Sequence, residues 1–153
     1  MKKATRQLLK YLQQANPKAF VVNVKPLGFD AAKKNHCFEN MMRFLDENED
    51  WVLRSGWLVG DYFGENGTAV MPHYWVHNPE DKQDYDVTPI EDTQNFEYIL
   101  DIEVAKHQDW DRLIGIPVSL KLHSDGTLSA RTGENSFMPI DKIDYKTLYR
   151  LVD

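Results

Sequence analysis

The chain has 153 residues, with 18 basic against 24 acidic side chains, a net charge of -6 and a 42% hydrophobic share. That length suits one domain over 1–153, large enough to bury a core without metal or disulfide staples. The acidic balance argues against a nucleic-acid partner, which calls for a basic stripe, and no run reaches the ~18 apolar residues of a membrane span.

Thr5 to Ala15 carries Leu8, Leu9, Leu12 and Ala15 at steps that make one helical face, with Pro17 beyond it. The stretch Met1 to Leu12 begins with Lys2 and Lys3 and has interleaved polar residues, so no signal peptide is expected. Phe20 to Val24 is short and β-branched and reads as a strand or extended run stopped by Pro26. Leu27 to Lys34 is a loop. Cys37 to Asn48 reads as a second helix, with Phe38, Met41, Met42 and Leu45 on its apolar face and Phe44 beside them. The acidic run 46–50 suits the helix exit and a solvated loop, because it opposes the helix dipole.

After residue 50 the period changes. Trp51 to Phe63 reads as a strand, with Gly56 and Gly60 suggesting a bulge. Gly64-Glu65-Asn66-Gly67 is a hairpin turn, and 68–77 is the returning strand. Asn78 to Asp81 turns again into a short strand at Tyr85-Asp86-Val87. Phe96 to Lys106 fits helix slightly better than strand. Val118–Leu122 and Thr127–Arg131 flank an Asp125-Gly126 turn, and Asp144 to Val152 closes as a helix.

The chemistry centres on the one cysteine. A free thiol titrates near 8.5 and is a poor nucleophile as the neutral acid, but a helix N-terminus and a neighbouring imidazolium both favour the thiolate. Cys37 stands at a helix start. His73 lies on the returning strand and Asp86 on the next one, so both can share a face if those strands pair. The imidazole can then contact Cys37 through one nitrogen and Asp86 through the other. His36 adjoins Cys37, but neighbouring helix residues point about 100° apart, so it reads as a polar helix-entry residue. Asp84 shares a strand face with Asp86 and is the competing carboxylate.

Asn35-His36-Cys37-Phe38, His73-Tyr74-Trp75-Val76 and Asp86-Val87-Thr88-Pro89 stand in the order Cys, His-x-Trp-Val, Asp-x-Thr. Together they resemble the transglutaminase-like cysteine enzymes of the papain-like superfamily, over about residues 35 to 89. The resemblance implies Cys37 as nucleophile, His73 as general base and acid, and Asp86 as its orienting partner. It also decides for Asp86 over Asp84. It implies an α+β fold, with the Cys helix packed on an antiparallel sheet. The expected activity is thiol-dependent acyl transfer on a protein or peptide carboxamide, of glutamine deamidase, transglutaminase or protease type. The alternative is a non-catalytic binding or inhibitor module with the same fold.

The backbone N–H of Cys37 can supply one oxyanion donor; the second is open among Asn35, Asn40 and an indole of Trp57 or Trp75. The tryptophans are alternatively core residues. Zinc is not expected: on a strand, His73 and His77 stand about 13 Å apart. No cofactor is required, no nucleic acid or membrane is expected as partner, and the oligomeric state is open. A lone cysteine fits a reducing cytoplasm.

Overall fold

The computed structural model describes residues 1–14, 16–34, 36–61, 67–90, 96–107, 118–132 and 138–139. They form a mixed α+β fold, and its described strands join in one sheet. Helix α1 is Lys3–Leu12, followed by β1 Phe20–Val22 and β2 Val24–Pro26. Helix α2 is Cys37–Glu47. Strands β3 Val52–Asp61, β4 Gly67–Asn78, β5 Gln83–Asp86 and β6 Glu97–Leu100 come next. The rest is α3 Glu103–His107, β7 Val118–His123, β8 Leu128–Thr132 and β9 Met138–Pro139.

The β3–β4 hairpin is the spine, antiparallel from Val52↔His77 to Asp61↔Thr68. This matches the pairing expected after residue 50; the Gly64–Gly67 turn itself lies largely outside the described residues. The register runs without a skipped residue over that whole span, so the expected bulge is absent. Gly56 and Gly60 have another cause. β3 is also bonded to β6, and a Cβ on Gly56 would come within 1.9 Å of the Ile99 carbonyl oxygen and 2.9 Å of the Trp75 ring. At Gly60 a Cβ would strike the Phe96 ring at 2.0 Å. Close approach, rather than a bulge, requires glycine here.

β1 pairs antiparallel with β6 while β2, one residue on, pairs in parallel with β5. The run read as one strand therefore divides at Asn23 and continues through Pro26. The order β1–β6–β3–β4–β5–β2 curls the sheet back on the same stretch of chain. One face carries the larger core, in which Leu8 and Leu12 of α1 and Met41 and Phe44 of α2 pack on Trp57, Val59, Tyr74, Val76 and Ile99. A second cluster holds Leu58, Trp75, Tyr98 and Leu100. The alternation Tyr74/Trp75 and Tyr98/Ile99 divides each strand between the two, as period-two side chains must.

The helices depart from their expected bounds for local reasons. The expected first helix includes residues 13 and 14, but α1 ends at Leu12; Ala15 lies outside the described residues. Just beyond, the Asn16 amide donates to Asp101 at 2.8 Å and the Gln13 amide to the Ala19 carbonyl at 2.9 Å, drawing the chain away from the helix axis. In α2 the inward face is Asn40, Met41 and Phe44, while Met42 is 40% exposed. The expected face, which included Met42, is rotated because Asn40 is buried for its hydrogen bonds. Asn48 closes the helix, its amide donating to the Phe44 carbonyl at 2.9 Å. Segment 96–106 is strand first and helix second. Tyr98, Ile99 and Leu100 are held between β1 and β3, and the Asp101 carboxylate then accepts the Glu103 N–H at 3.1 Å and opens α3. The β7–β8 hairpin turns at Gly126, whose φ of 89° favours glycine. The expected helix at Asp144–Val152 lies outside the described residues.

Asp101 is the polar hinge of this arrangement. Besides Asn16 and Glu103, it accepts the Trp57 indole N–H at 3.0 Å, and it is 1% exposed. Asp101→Ala should destabilise the fold by about 4 kcal/mol, because the Asn16 amide, the Trp57 indole and the Glu103 N–H all lose their acceptor. Asp101→Asn, which keeps one acceptor oxygen, should cost less; urea unfolding of the two variants checks the order.

Candidate active site

The site forms where the outer edge of β4 is left open. On that edge β5 pairs with residues 76–78 and β7 with residues 67–70. Between them, no described strand pairs with residues 71–75 on this edge. The N-terminus of α2 enters there. Phe38 packs edge-on against Tyr74 with ring centres 5.5 Å apart. Cys37, in the first turn, lies close enough to the His73 side chain and the Tyr74 backbone N–H for both to act on its thiol.

The β4–β5 register aligns Val76 with Tyr85, which puts Trp75 opposite Asp86. His73 is two residues before Trp75 and so shares its face. The diagonal brings His73 Nε2 to 2.6 Å from Asp86 Oδ2, and the same imidazole is within electrostatic reach of Cys37. The structure thus joins Cys37, His73 and Asp86 in one chain of contacts. Both His73 and Asp86 are buried, at 6% and 3% exposure.

The electrostatics follow from that chain. Burial pushes the Cys37 thiol up, but the positive charge and hydrogen bond of His73, with the Tyr74 N–H, outweigh it and hold the thiol below its ordinary value; Asp86 opposes them weakly. Burial pushes His73 down, yet the charges of Asp86 and Cys37 and their hydrogen bonds raise it to about 10. The two shifts run in the direction of a thiolate–imidazolium pair, and the two groups titrate as one coupled system.

Asp86 is fixed on its other side too. Its Oδ1 accepts the Thr88 N–H at 2.9 Å, which gives the Asp-x-Thr pattern a physical reason. Thr88 in turn accepts the Asn40 amide at 3.2 Å, tying the end of β5 to α2. The Leu27 N–H reaches the Asp86 backbone carbonyl at 2.9 Å, so the chain leaving β2 also anchors the backbone that carries this carboxylate. The Tyr98 hydroxyl donates to Asp86 Oδ2 at 2.7 Å. Its only sequence signal is generic: a buried tyrosine hydroxyl needs a partner. Which carboxylate it meets is set by the β3–β6 pairing, which 96–106 does not reveal.

The other expected site residues have different tasks. Asn40 gives its amide hydrogens to the Lys33 carbonyl at 2.7 Å and to Thr88, so it is not an oxyanion donor. The Trp57 N–H is held by Asp101, and Trp57 is core. The Trp75 N–H is held by Asp84 at 2.9 Å, while the ring lies nearly parallel to His73 at 6.3 Å. These three therefore drop out as second oxyanion donors because their N–H groups are committed. Asn35 lies outside the described residues. Asp84 serves His77, at 2.5 Å, rather than His73. His36 stands at the N-cap position of α2, exposed and without a side-chain capping bond, and pairs with Glu39 at 3.3 Å. His36→Ala should leave the rate of Cys37 alkylation unchanged within about twofold, since exposed pairs contribute little; a large change would reassign the base.

Next to Asp86, Thr88 and Tyr98 opens a cavity of about 470 Å³, walled by Val24, Leu27, Phe29, Ile90 and Phe96. Its described lining has no lysine or arginine. Among the described residues, no cluster of histidine, cysteine and carboxylate side chains suits a metal ion. No described helix is long and apolar enough to cross a membrane. No family model, no curated protein and no solved structure matches this chain.

Proposed function

We propose that the protein is a thiol acyl-transfer enzyme acting on a protein or peptide carboxamide. The observation that carries this reading is the contact chain Cys37–His73–Asp86, with the sulfur at a helix N-terminus. An ordinary structural cysteine has no need of a buried imidazole held by a buried carboxylate. In the proposed reaction the Cys37 thiolate attacks the carboxamide carbon, and a C–S bond forms. The C–N bond then breaks as the His73 imidazolium gives its proton to the leaving nitrogen. Water or an amine next loses a proton to His73 and attacks the thioester; the C–S bond breaks and the thiolate–imidazolium pair returns. Asp86 holds the imidazole so that the same ring nitrogen faces both steps. The Cys37 backbone N–H, in the first turn of α2, is the proposed first oxyanion donor.

The largely apolar cavity lined by Asp86 has no cationic side chain in its described lining to hold a phosphate or carboxylate; it borders the site through Asp86, while Cys37 and His73 do not line it. The likeness to transglutaminase-like enzymes and a papain-like core belongs to the same proposal, as does a reducing, cytoplasmic setting for a free thiol. The test is mass spectrometry of peptide libraries incubated with the protein. Loss of ammonia to water reads as deamidation, chain cleavage as proteolysis, and joining to an added amine as transfer. A thioester trapped on Cys37 supports the reading. No product and no acylated Cys37 with any library would overturn it.

A further inference from the structure

We infer that Tyr98 is a positioning residue that sets how strongly Asp86 holds the His73 proton. This rests on the acyl-transfer reading above and extends it to a residue with no counterpart in the Cys–His–Asp pattern. The Tyr98 hydroxyl and His73 Nε2 reach the same carboxylate oxygen, Oδ2 of Asp86, at 2.7 and 2.6 Å. Tyr98 is 8% exposed and comes from β6, across the curl of the sheet from β5. Its ring packs at 5.9 Å from the imidazole and edge-on to Trp75 at 5.4 Å. The hydroxyl is therefore aimed by packing as well as by its bond. Burial and the Asp86 charge keep the phenol protonated, so it remains a donor.

The consequence has a definite sign. A donor on Oδ2 spreads the carboxylate charge and leaves less of it for the imidazolium. With the donor present, Asp86 orients His73 without over-stabilising its proton. The imidazolium thus stays acidic enough to give that proton to a leaving nitrogen. Without the donor, His73 holds its proton more tightly and becomes a slower acid. The other titratable groups around the imidazole are accounted for. Cys37 of α2 is its acid–base partner, and Tyr74 of β4 stands beside the sulfur. Asp84 and His77, on the same two strands, pair with each other, with Arg54 of β3 at 3.9 Å from Asp84.

The experiment is an NMR titration of ring-labelled histidine, following His73 in wild type, Tyr98→Phe and Tyr85→Phe. A fourth protein carries 3-fluorotyrosine at position 98, a near-isosteric and more acidic donor. Tyr85→Phe removes a hydroxyl from an exposed carboxylate, Asp81, and serves as the control. Tyr98→Phe should move the His73 titration up by about one pH unit, as expected for losing a hydrogen bond to a charged group. The fluorinated residue should move it down, and Tyr85→Phe should leave it in place. If Tyr98→Phe does not fold, the fluorinated protein alone decides, because only a donor role predicts its downward shift. A raised wild-type His73 that neither Tyr98 change moves would overturn the positioning role and leave the thiolate–imidazolium reading standing. A wild-type His73 titrating near the ordinary value of about 6.5 would overturn both.

Discussion

His73→Ala should lower turnover of a carboxamide substrate by about 10⁴-fold, with KM little changed. The reason is double: the variant loses the positive partner that holds Cys37 as thiolate, and it loses the acid that protonates the leaving nitrogen. Asp86→Asn should fall between wild type and His73→Ala. The amide keeps its volume among His73, Thr88 and Tyr98, but it cannot accept from the ring N–H, the Tyr98 hydroxyl and the Thr88 N–H as a carboxylate does. Steady-state kinetics on the substrate found by mass spectrometry checks both. Wild-type turnover in His73→Ala would mean that another group carries the proton.

The second large effect is on stability. Gly56→Ala should destabilise the protein by at least about 3 kcal/mol, because its methyl group would meet the Ile99 carbonyl at 1.9 Å. That oxygen belongs to the β3–β6 ladder and cannot swing aside as a flexible side chain can. The strain also reaches the site. Gly56 stands opposite His73 in the β3–β4 ladder and opposite Leu100 in the β3–β6 ladder, two residues from Tyr98. Thermal unfolding should show a fall in Tm of about 10 °C. Gly28→Ala is the matched control, since a Cβ there meets nothing within 4 Å, and it should leave Tm unchanged.

What the sequence made legible follows from how local each signal is. The start of α2 at Cys37 and the β3–β4 pairing rest on periodicity within one or two elements, and both are present. The choice of Asp86 over Asp84 came from the Asp-x-Thr pattern; in the structure, Asp86 meets His73 and Asp84 meets His77. Long-range pairing is where local signals end. The parallel β2–β5 contact joins residues some sixty positions apart and includes a proline, so nothing near Val24 announces it. Tyr98 sits in an apolar run whose tyrosine meets Asp86 only through the curl of the sheet. The failed oxyanion candidates share one cause. An N–H donor in a sequence looks available, but buried Asn40, Trp57 and Trp75 must each satisfy their donors, and each does so with a partner inside the fold, Trp57 with the distant Asp101.

The pH dependence of Cys37 alkylation by iodoacetamide tests the central claim most directly, with the modified peptide quantified by mass. The site predicts rapid alkylation that persists well below the ordinary thiol pKa of about 8.5. It also predicts a second change near pH 10, where the imidazolium gives up its proton. An alkylation rate that follows a single ordinary thiol titration, or a Cys37 that does not react in the folded protein, would contradict a thiolate–imidazolium pair at this site.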